Sequence, residues 1–195
     1  RDFIEDETKW LIKMGAGFMG KALSENFGGY WPEHNLYTEE YIQGETLDNY
    51  LNRNKEDIED KARVDRWQMR WLHFIWSGVQ AYQEFWERTN LQLSIQPPSP
   101  KNLIIPQHDY KDGSRLISIS SRKPVKSLTE HFLSLYTEYI VTTEKKYPGL
   151  NHMSDWEVIF TATIQALKVN KGKRVLENLK DELGLSNFTK ECELV

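Results

Sequence analysis

The sequence predicts a mainly helical α+β domain, and three patterns support that prediction. Residues 63–89 repeat apolar side chains every three or four positions, which is the spacing of one helix face. Short runs at 36–42, 103–105 and 116–119 are rich in residue types that are typical of strands. Residues 127–130 (Ser-Leu-Thr-Glu) form a capping box, in which a hydroxyl and a carboxylate satisfy backbone amides at a helix start.

The composition predicts a folded chain without a nucleic-acid or membrane partner. The 195 residues are 28% charged and 39% hydrophobic, with a formal net charge of −4, which gives no reason to expect nucleic acid. No apolar run approaches the ~20 residues that span a bilayer, and no signal peptide opens the chain. The single cysteine, Cys192, fits a reducing compartment, so we expect a cytoplasmic protein. Because the first residue is Arg1 rather than Met, we expect one part of a larger protein.

The chain before residue 62 predicts a broken helix, a strand and a short helix. Apolar residues at helical spacing before residue 23 are interrupted by glycines, which predicts a helix in two parts. Residues 36–42 form the predicted strand, and Gly44 ends it. Residues 46–52 form the short helix. The charged residues 54–61 are predicted to be a solvated connector.

The long helix at 63–89 is predicted to be the centre of the core. Apolar side chains cover so much of its circumference that we expect it to be mostly buried. Seven tryptophans in one chain supply large apolar surfaces, and we expect them to build this core rather than an aromatic cage for a ligand. His73 lies on this helix, where it is predicted to be a hydrogen-bonded core residue.

The second half of the chain predicts a loop, a hairpin and then helices. Three prolines within residues 97–100 predict a rigid loop after the long helix. The strands at 103–105 and 116–119 are predicted to pair, because the Asp-Gly pair at 112–113 is typical of a tight turn. Capping boxes and apolar spacing predict that the chain from residue 127 onward is helical.

Three segments follow one another in an order that resembles the protein-kinase-like superfamily. Residues 40–47 read Glu-Tyr-Ile-Gln-Gly-Glu-Thr-Leu, which is similar to the hinge of that family. About fifty residues later, Asn102 and the apolar residues 103–105 resemble its catalytic loop and the strand that follows. Residues 115–122 resemble its metal-binding strand. The resemblance covers residues 36–122 and implies a kinase-like helical lobe with a small β-hairpin and a remnant of the preceding lobe.

The resemblance also implies a division of the chain and a set of site residues. Residues 1–45 would be the partial amino-terminal lobe with its hinge strand, and residues 46–195 the helical carboxy-terminal lobe. A nucleotide, if one binds, would meet the hinge, the loop asparagine and the metal-binding strand. In this sequence those positions are Glu40, Tyr41, Ile42, Asn102 and Ser120.

The chemical groups of the family are absent at the matching positions. Its catalytic base is an Asp five residues before the loop Asn, where this chain has Pro97, and its metal-binding Asp is replaced by Ser120. Too little chain precedes Glu40 to hold a Gly-rich loop and a phosphate-clamping lysine. We therefore expect no catalytic residue, no metal and no cofactor. The resemblance implies a catalytically inactive, pseudokinase-like binding or scaffolding module, whose partner is another protein or another domain of the same polypeptide.

Two other functions fit parts of the sequence. A divergent ATP-dependent phosphotransferase would keep the nucleotide site and supply the missing parts from further chain. A dinucleotide-binding domain would use residues 15–20, which satisfy G-x-G-x-x-G, but the predicted helices across 46–89 do not provide the alternating strands of that fold. The five histidines include no pair at i and i+4, so no metal site is expected.

Overall fold

The computed structural model describes residues 5, 6, 9, 27–34, 36–39, 42–89, 91–106, 114–117, 121–125 and 127–153. Within these residues the chain is α+β and mainly helical, as the sequence predicts. The predicted broken helix, the Gly-rich motif at 15–20, the turn at 112–113 and the helices after residue 153 lie outside the described residues.

The described elements are short except for one long helix. The strands are β1 (Phe27–Trp31), β2 (Leu36–Glu39), β3 (Gly44–Thr46), β4 (Leu93–Ile95), β5 (Leu103–Pro106), β6 (Arg115–Leu116) and β7 (Arg122–Pro124). The α-helices are α1 (Leu47–Arg53), α2 (Lys55–Glu59), α3 (Val64–Arg88), α4 (Leu128–Ser134) and α5 (Thr142–Lys146). A π-helical segment (Leu135–Val141) joins α4 to α5, and short 3₁₀ turns lie at Pro32–His34, Pro100–Asn102 and Pro148–Met153.

The strands form small antiparallel sheets. β1 pairs with β2, β5 pairs with both β3 and β6, and β4 pairs with β7. The hairpin predicted after the proline loop is confirmed, since Leu103 lies opposite Leu116. Of the strand predicted at 36–42, Leu36–Glu39 form β2 and Ile42 is not in a strand, while residues 40 and 41 lie outside the described residues. The stretch Phe27–Trp31, which we did not expect to be a strand, pairs with it.

The short helix predicted at 46–52 is α1, and Thr46 caps it; the strand β3 that precedes it, at Gly44–Thr46, was not predicted. The Thr46 hydroxyl oxygen accepts a hydrogen bond from the backbone N–H of Asn49 at 3.2 Å, which satisfies one of the free amides at the helix start. The charged stretch at 54–61 is mostly exposed, as predicted, but it is not only a connector, because residues Lys55–Glu59 form α2. Its one large apolar residue, Ile58, is fully buried, and burial of that single side chain folds the charged stretch onto the core.

Helix α3 is the centre of the core, and its predicted burial is confirmed. It is 25 residues long and contributes many of the buried side chains of the hydrophobic core. The buried side chains on it include Trp67, Trp71, Phe74, Ile75, Val79, Tyr82 and Phe85. Full burial of one such side chain stabilises the fold by roughly 1.5–3 kcal/mol. Three of the four tryptophans of this helix, Trp67, Trp71 and Trp86, therefore have the structural role that we predicted, whereas Trp76 is half-buried and Trp31 is exposed.

The helical region after residue 127 begins as predicted but changes its hydrogen-bond period. The Ser127 hydroxyl oxygen accepts from the N–H of Glu130 at 3.1 Å. The chain then runs from α4 into the π-helical segment, where Tyr139 donates to the carbonyl of Phe74 at 2.7 Å. A Cβ on Gly78 would lie 2.5 Å from the Tyr139 hydroxyl. Only glycine at this position lets the π-helical segment lie so close to α3.

Candidate functional site

The exit of the hinge-like segment is fixed to the sheet. Ile42 is buried, and after Gln43 the chain enters β3, where Gly44 lies opposite Pro106 and Thr46 lies opposite Ile104. A Cβ on Gly44 would lie 2.2 Å from the carbonyl oxygen of Ile105. The predicted glycine at the end of the hinge is therefore required by close contact between backbones, and it fixes the position at which the chain turns into α1.

The proline-rich loop lies between β4 and β5 and is held by one core side chain. It contains a cis peptide bond between Gln96 and Pro97, and the predicted irregular segment ends in a 3₁₀ turn at Pro100–Asn102. The hydroxyl of Tyr82 accepts from the backbone N–H of Ser99 at 2.8 Å and donates to the Ser99 carbonyl at 2.9 Å. Burial raises the pKa of Tyr82 far above its ordinary value, so the hydroxyl keeps the proton that it donates.

Asn102 ends this loop beside the same tyrosine. Its backbone N–H donates to the carbonyl of Ser99 at 2.9 Å, and its own carbonyl accepts from Ile117 at 2.8 Å. Its side-chain oxygen lies 3.5 Å from the Tyr82 hydroxyl. The single hydroxyl proton is already used in the shorter bond to Ser99, so the half-buried amide of Asn102 keeps hydrogen-bonding capacity for another group.

Two of the five predicted site residues lie within the described residues, and they belong to one sheet region. Ile42 precedes β3 and Asn102 precedes β5, and these two strands are hydrogen-bonded to each other. Glu40, Tyr41 and Ser120 lie outside the described residues. The structure thus brings the hinge exit and the loop asparagine into the same neighbourhood, and β6 adds the strand that precedes Ser120.

The loop itself contains no acid. Residues 96–102 contain neither Asp nor Glu, and Pro97, at the position of the expected base, is exposed. Among the described residues, no group of three or more His, Cys, Asp or Glu side chains could hold a metal ion. The loop can offer hydrogen bonds from amides and hydroxyls, but residues 96–102 contain no carboxylate that could take a proton from a hydroxyl substrate.

Sequence reasoning missed one contact of the loop. β4 pairs with β7, so that Ile95 lies opposite Arg122, and the N–H of Gln96 donates to the carbonyl of Ser121 at 3.0 Å. The residue after Ser120 is thereby fixed at the start of the loop. Apolar residues alternate at Leu93 and Ile95, and this period of two was the available signal for β4.

Arg122, at the start of β7, is charged but mostly covered. Its side chain is only 12% exposed, and it forms an ion pair with Asp6. This contact ties the described helical residues near the start of the chain to the strand that borders the loop. The carboxylate of Asp6 is itself exposed, so water weakens the pair.

Comparisons with protein-family models, with curated proteins and with solved structures each find no match to this chain. No helix within the described ranges is long and apolar enough to cross a membrane.

Proposed function

We propose that this chain is a catalytically inactive, kinase-like module that binds another protein or another domain of its own polypeptide. The proposed binding surface, here called the hinge–loop surface, consists of the hinge exit and the proline-rich loop. The observation that carries the proposal is the loop at 96–102, which has no acid and is anchored by Tyr82 through the backbone N–H and the carbonyl of Ser99.

The order of elements supports the kinase-like part of the proposal. A hinge-like segment, a strand and a short helix are followed by a long buried helix, a loop that ends in Asn102 and an antiparallel hairpin. Strand β3 at the hinge exit pairs with the strand that directly follows the loop. This pairing supports a shared surface, because it brings two segments that are about sixty residues apart in sequence into one sheet.

The chemistry of the loop supports binding rather than catalysis. Phosphoryl transfer depends on a positioned base, metal ions and phosphate-binding cations. Pro97 has no proton acceptor in its side chain, and Lys101 is the only charged residue of the loop. A rigid loop with exposed Pro97 and Lys101 loses little conformational entropy when it contacts a partner, which favours association.

Thermal unfolding tests the absence of a nucleotide site. A ligand that binds only the folded state raises the unfolding midpoint, and at one hundred times its Kd it adds about 2.7 kcal/mol. We expect no shift with millimolar ATP, ADP or NAD, with or without Mg²⁺. A Mg²⁺-dependent shift with ATP that is lost in Asn102→Ala would replace the proposal with a divergent phosphotransferase, and a shift with NAD alone would favour the Gly-rich motif at 15–20.

A pair of matched variants tests the binding surface. Lys101→Glu reverses one exposed charge in the loop, and Lys61→Glu makes the same change at an exposed position between α2 and α3. Proteins that co-purify with the tagged, full-length chain are quantified by mass spectrometry for each variant. We expect Lys101→Glu to lose at least one partner that Lys61→Glu retains. Equal partner sets for both variants would argue against this surface.

A further inference from the structure

The outer face of α3 carries two arginines that no acid of the described chain neutralises. Arg66 and Arg70 are four residues apart, so their side chains are neighbours on the helix surface. Neither guanidinium has a carboxylate in ion-pair contact among the described residues. Met69 lies beside them and is 65% exposed. These three residues are here called the arginine face.

Arg70 is held in place from two sides. Its guanidinium carbon lies 5.0 Å from the centre of the Trp67 ring, within the range of a cation–π contact. Its Nη1 donates to the hydroxyl of Tyr50 at 3.2 Å. The side chain is half-buried by these contacts, yet only one of its five N–H donors is used by them. A preorganised arginine with free donors is well suited to bind a planar anion such as a carboxylate.

The surroundings reinforce the positive charge. The guanidinium carbon of Arg53, on α1, lies 5.7 Å from the centre of the Tyr50 ring, although Arg53 also pairs with Glu45. The nearest acid in sequence, Asp65, points about 100° away from Arg66 around the helix. Two like charges at i and i+4 destabilise a helix by a few tenths of a kcal/mol when no opposite charge lies between them. On a chain with a net charge of −4, this is a local positive site without a counter-charge among the described residues.

We propose that the arginine face binds an acidic peptide segment of a partner protein. A Glu or Asp carboxylate of that segment accepts hydrogen bonds from Arg70 and Arg66, and an apolar side chain beside it packs on Met69. Two arginines and one methionine match a short segment that alternates acidic and apolar residues. None of these residues belongs to the hinge–loop surface, so the proposal does not depend on that function.

The test is a titration of the full chain against a fluorescein-labelled peptide, Glu-Glu-Leu-Glu-Glu-Leu-Glu-Glu, followed by fluorescence polarisation. We expect saturable binding below about 1 mM that weakens as salt is raised. Arg70→Gln should weaken binding about tenfold, which is the loss of one charge-assisted hydrogen-bonding pair. Arg66→Gln, at an exposed position, should weaken it about threefold and guards against a folding defect in the first variant.

The controls separate a specific site from general charge attraction. Lys123→Gln removes the same charge at an exposed position on β7 and should change binding less than twofold. A peptide with Gln in place of Glu should not bind. The proposal is overturned if no saturable binding occurs up to about 1 mM, if Lys123→Gln weakens binding as much as Arg70→Gln, or if the chain binds vesicles of anionic lipid but not the peptide.

Discussion

Helix α3 buries a tryptophan near each of its ends, and the two differ in what their N–H groups meet. Near the start of the helix, Trp71 donates to a carboxylate oxygen of Glu144 at 2.9 Å. Near its end, Trp86 stacks on His131 with ring centres 4.7 Å apart, and its buried N–H has no hydrogen-bond partner among the described residues. Both tryptophans are thus buried, but only the N–H of Trp71 has a hydrogen-bond partner among the described residues.

The difference extends to the ionisable groups beside each tryptophan. Burial raises the pKa of Glu144, and the hydrogen bond from Trp71 offsets part of that rise. Burial lowers the pKa of His131 to about 3. His131 shares one hydrogen bond of 3.1 Å with Ser94, while its other ring nitrogen is unpaired within the described residues. The hydrogen bond between Trp71 and Glu144 therefore stabilises the start of the helix, whereas its end is stabilised mainly by the stacking of Trp86 on His131.

Matched substitutions to Phe give the largest expected contrast. Trp71→Phe removes the donor to Glu144 and leaves a buried carboxylate without its partner, which costs about 1–3 kcal/mol beyond the lost ring volume. Trp86→Phe removes an N–H that has no partner and keeps a ring to stack on His131. Urea unfolding of both variants measures the difference. Equal losses in the free energy of unfolding would mean that the Trp86 N–H is hydrogen-bonded in solution.

Sequence patterns predicted the parts of this fold that depend on local spacing. The apolar period predicted α3, the Asp-Gly turn predicted the pairing of β5 with β6, and the Ser127 capping box predicted the start of α4. Helix α2 was missed because one buried residue, Ile58, decides its structure against a charged background. A local pattern does not reveal which single side chain will be covered by a distant part of the chain.

The histidines show the same limit for the site. His73, predicted as the core histidine, is half-buried, whereas His131 is the fully buried one among the histidines whose side chains the structure describes. Its burial depends on contact with Ser94 and Trp86, which are tens of residues away in sequence. For the loop, sequence order indicated Asn102, but the anchoring of Ser99 by Tyr82 arises only when α3 and the loop pack together. Contacts of this kind are tertiary and leave no periodic signal.

Acid should destabilise the protein through His131, and this is the second largest effect. The folded pKa of about 3 lies below the ordinary value of about 6.5, so the unfolded state binds more protons between these values. Stability is fully present above pH 6.5 and is lost as pH falls, at up to about 1.4 kcal/mol per pH unit. His131→Asn should flatten the dependence between pH 7 and pH 5 in urea unfolding.

An exposed histidine provides the control for that experiment. His34→Asn removes a histidine from the exposed turn between β1 and β2, so it should leave the pH slope of the native protein unchanged. If His131→Asn and the native protein show the same slope, His131 is already charged or solvated in the folded state. The stacked arrangement with Trp86 would then not describe the protein in solution.

Glu144 should respond to pH in the opposite direction and with the smallest effect. Its folded pKa is raised, so the stability that this group contributes is present at low pH and is lost as pH rises through the folded pKa. Glu144→Gln keeps an oxygen that accepts from Trp71 but cannot ionise. We therefore expect the stability of this variant relative to the native protein to be greater at pH 8 than at pH 4.

The comparison of urea midpoints at the two pH values isolates Glu144, because His131 titrates equally in both proteins and cancels. Glu138→Gln, at an exposed position of the π-helical segment, is the matched control and should show no such change. A Glu144→Gln variant that loses stability as pH rises would show that the ionised carboxylate is favoured in the folded state. The polar pair with Trp71 would then stabilise the start of α3 through its charge, and the contrast between the two ends of the helix would be larger than burial alone predicts.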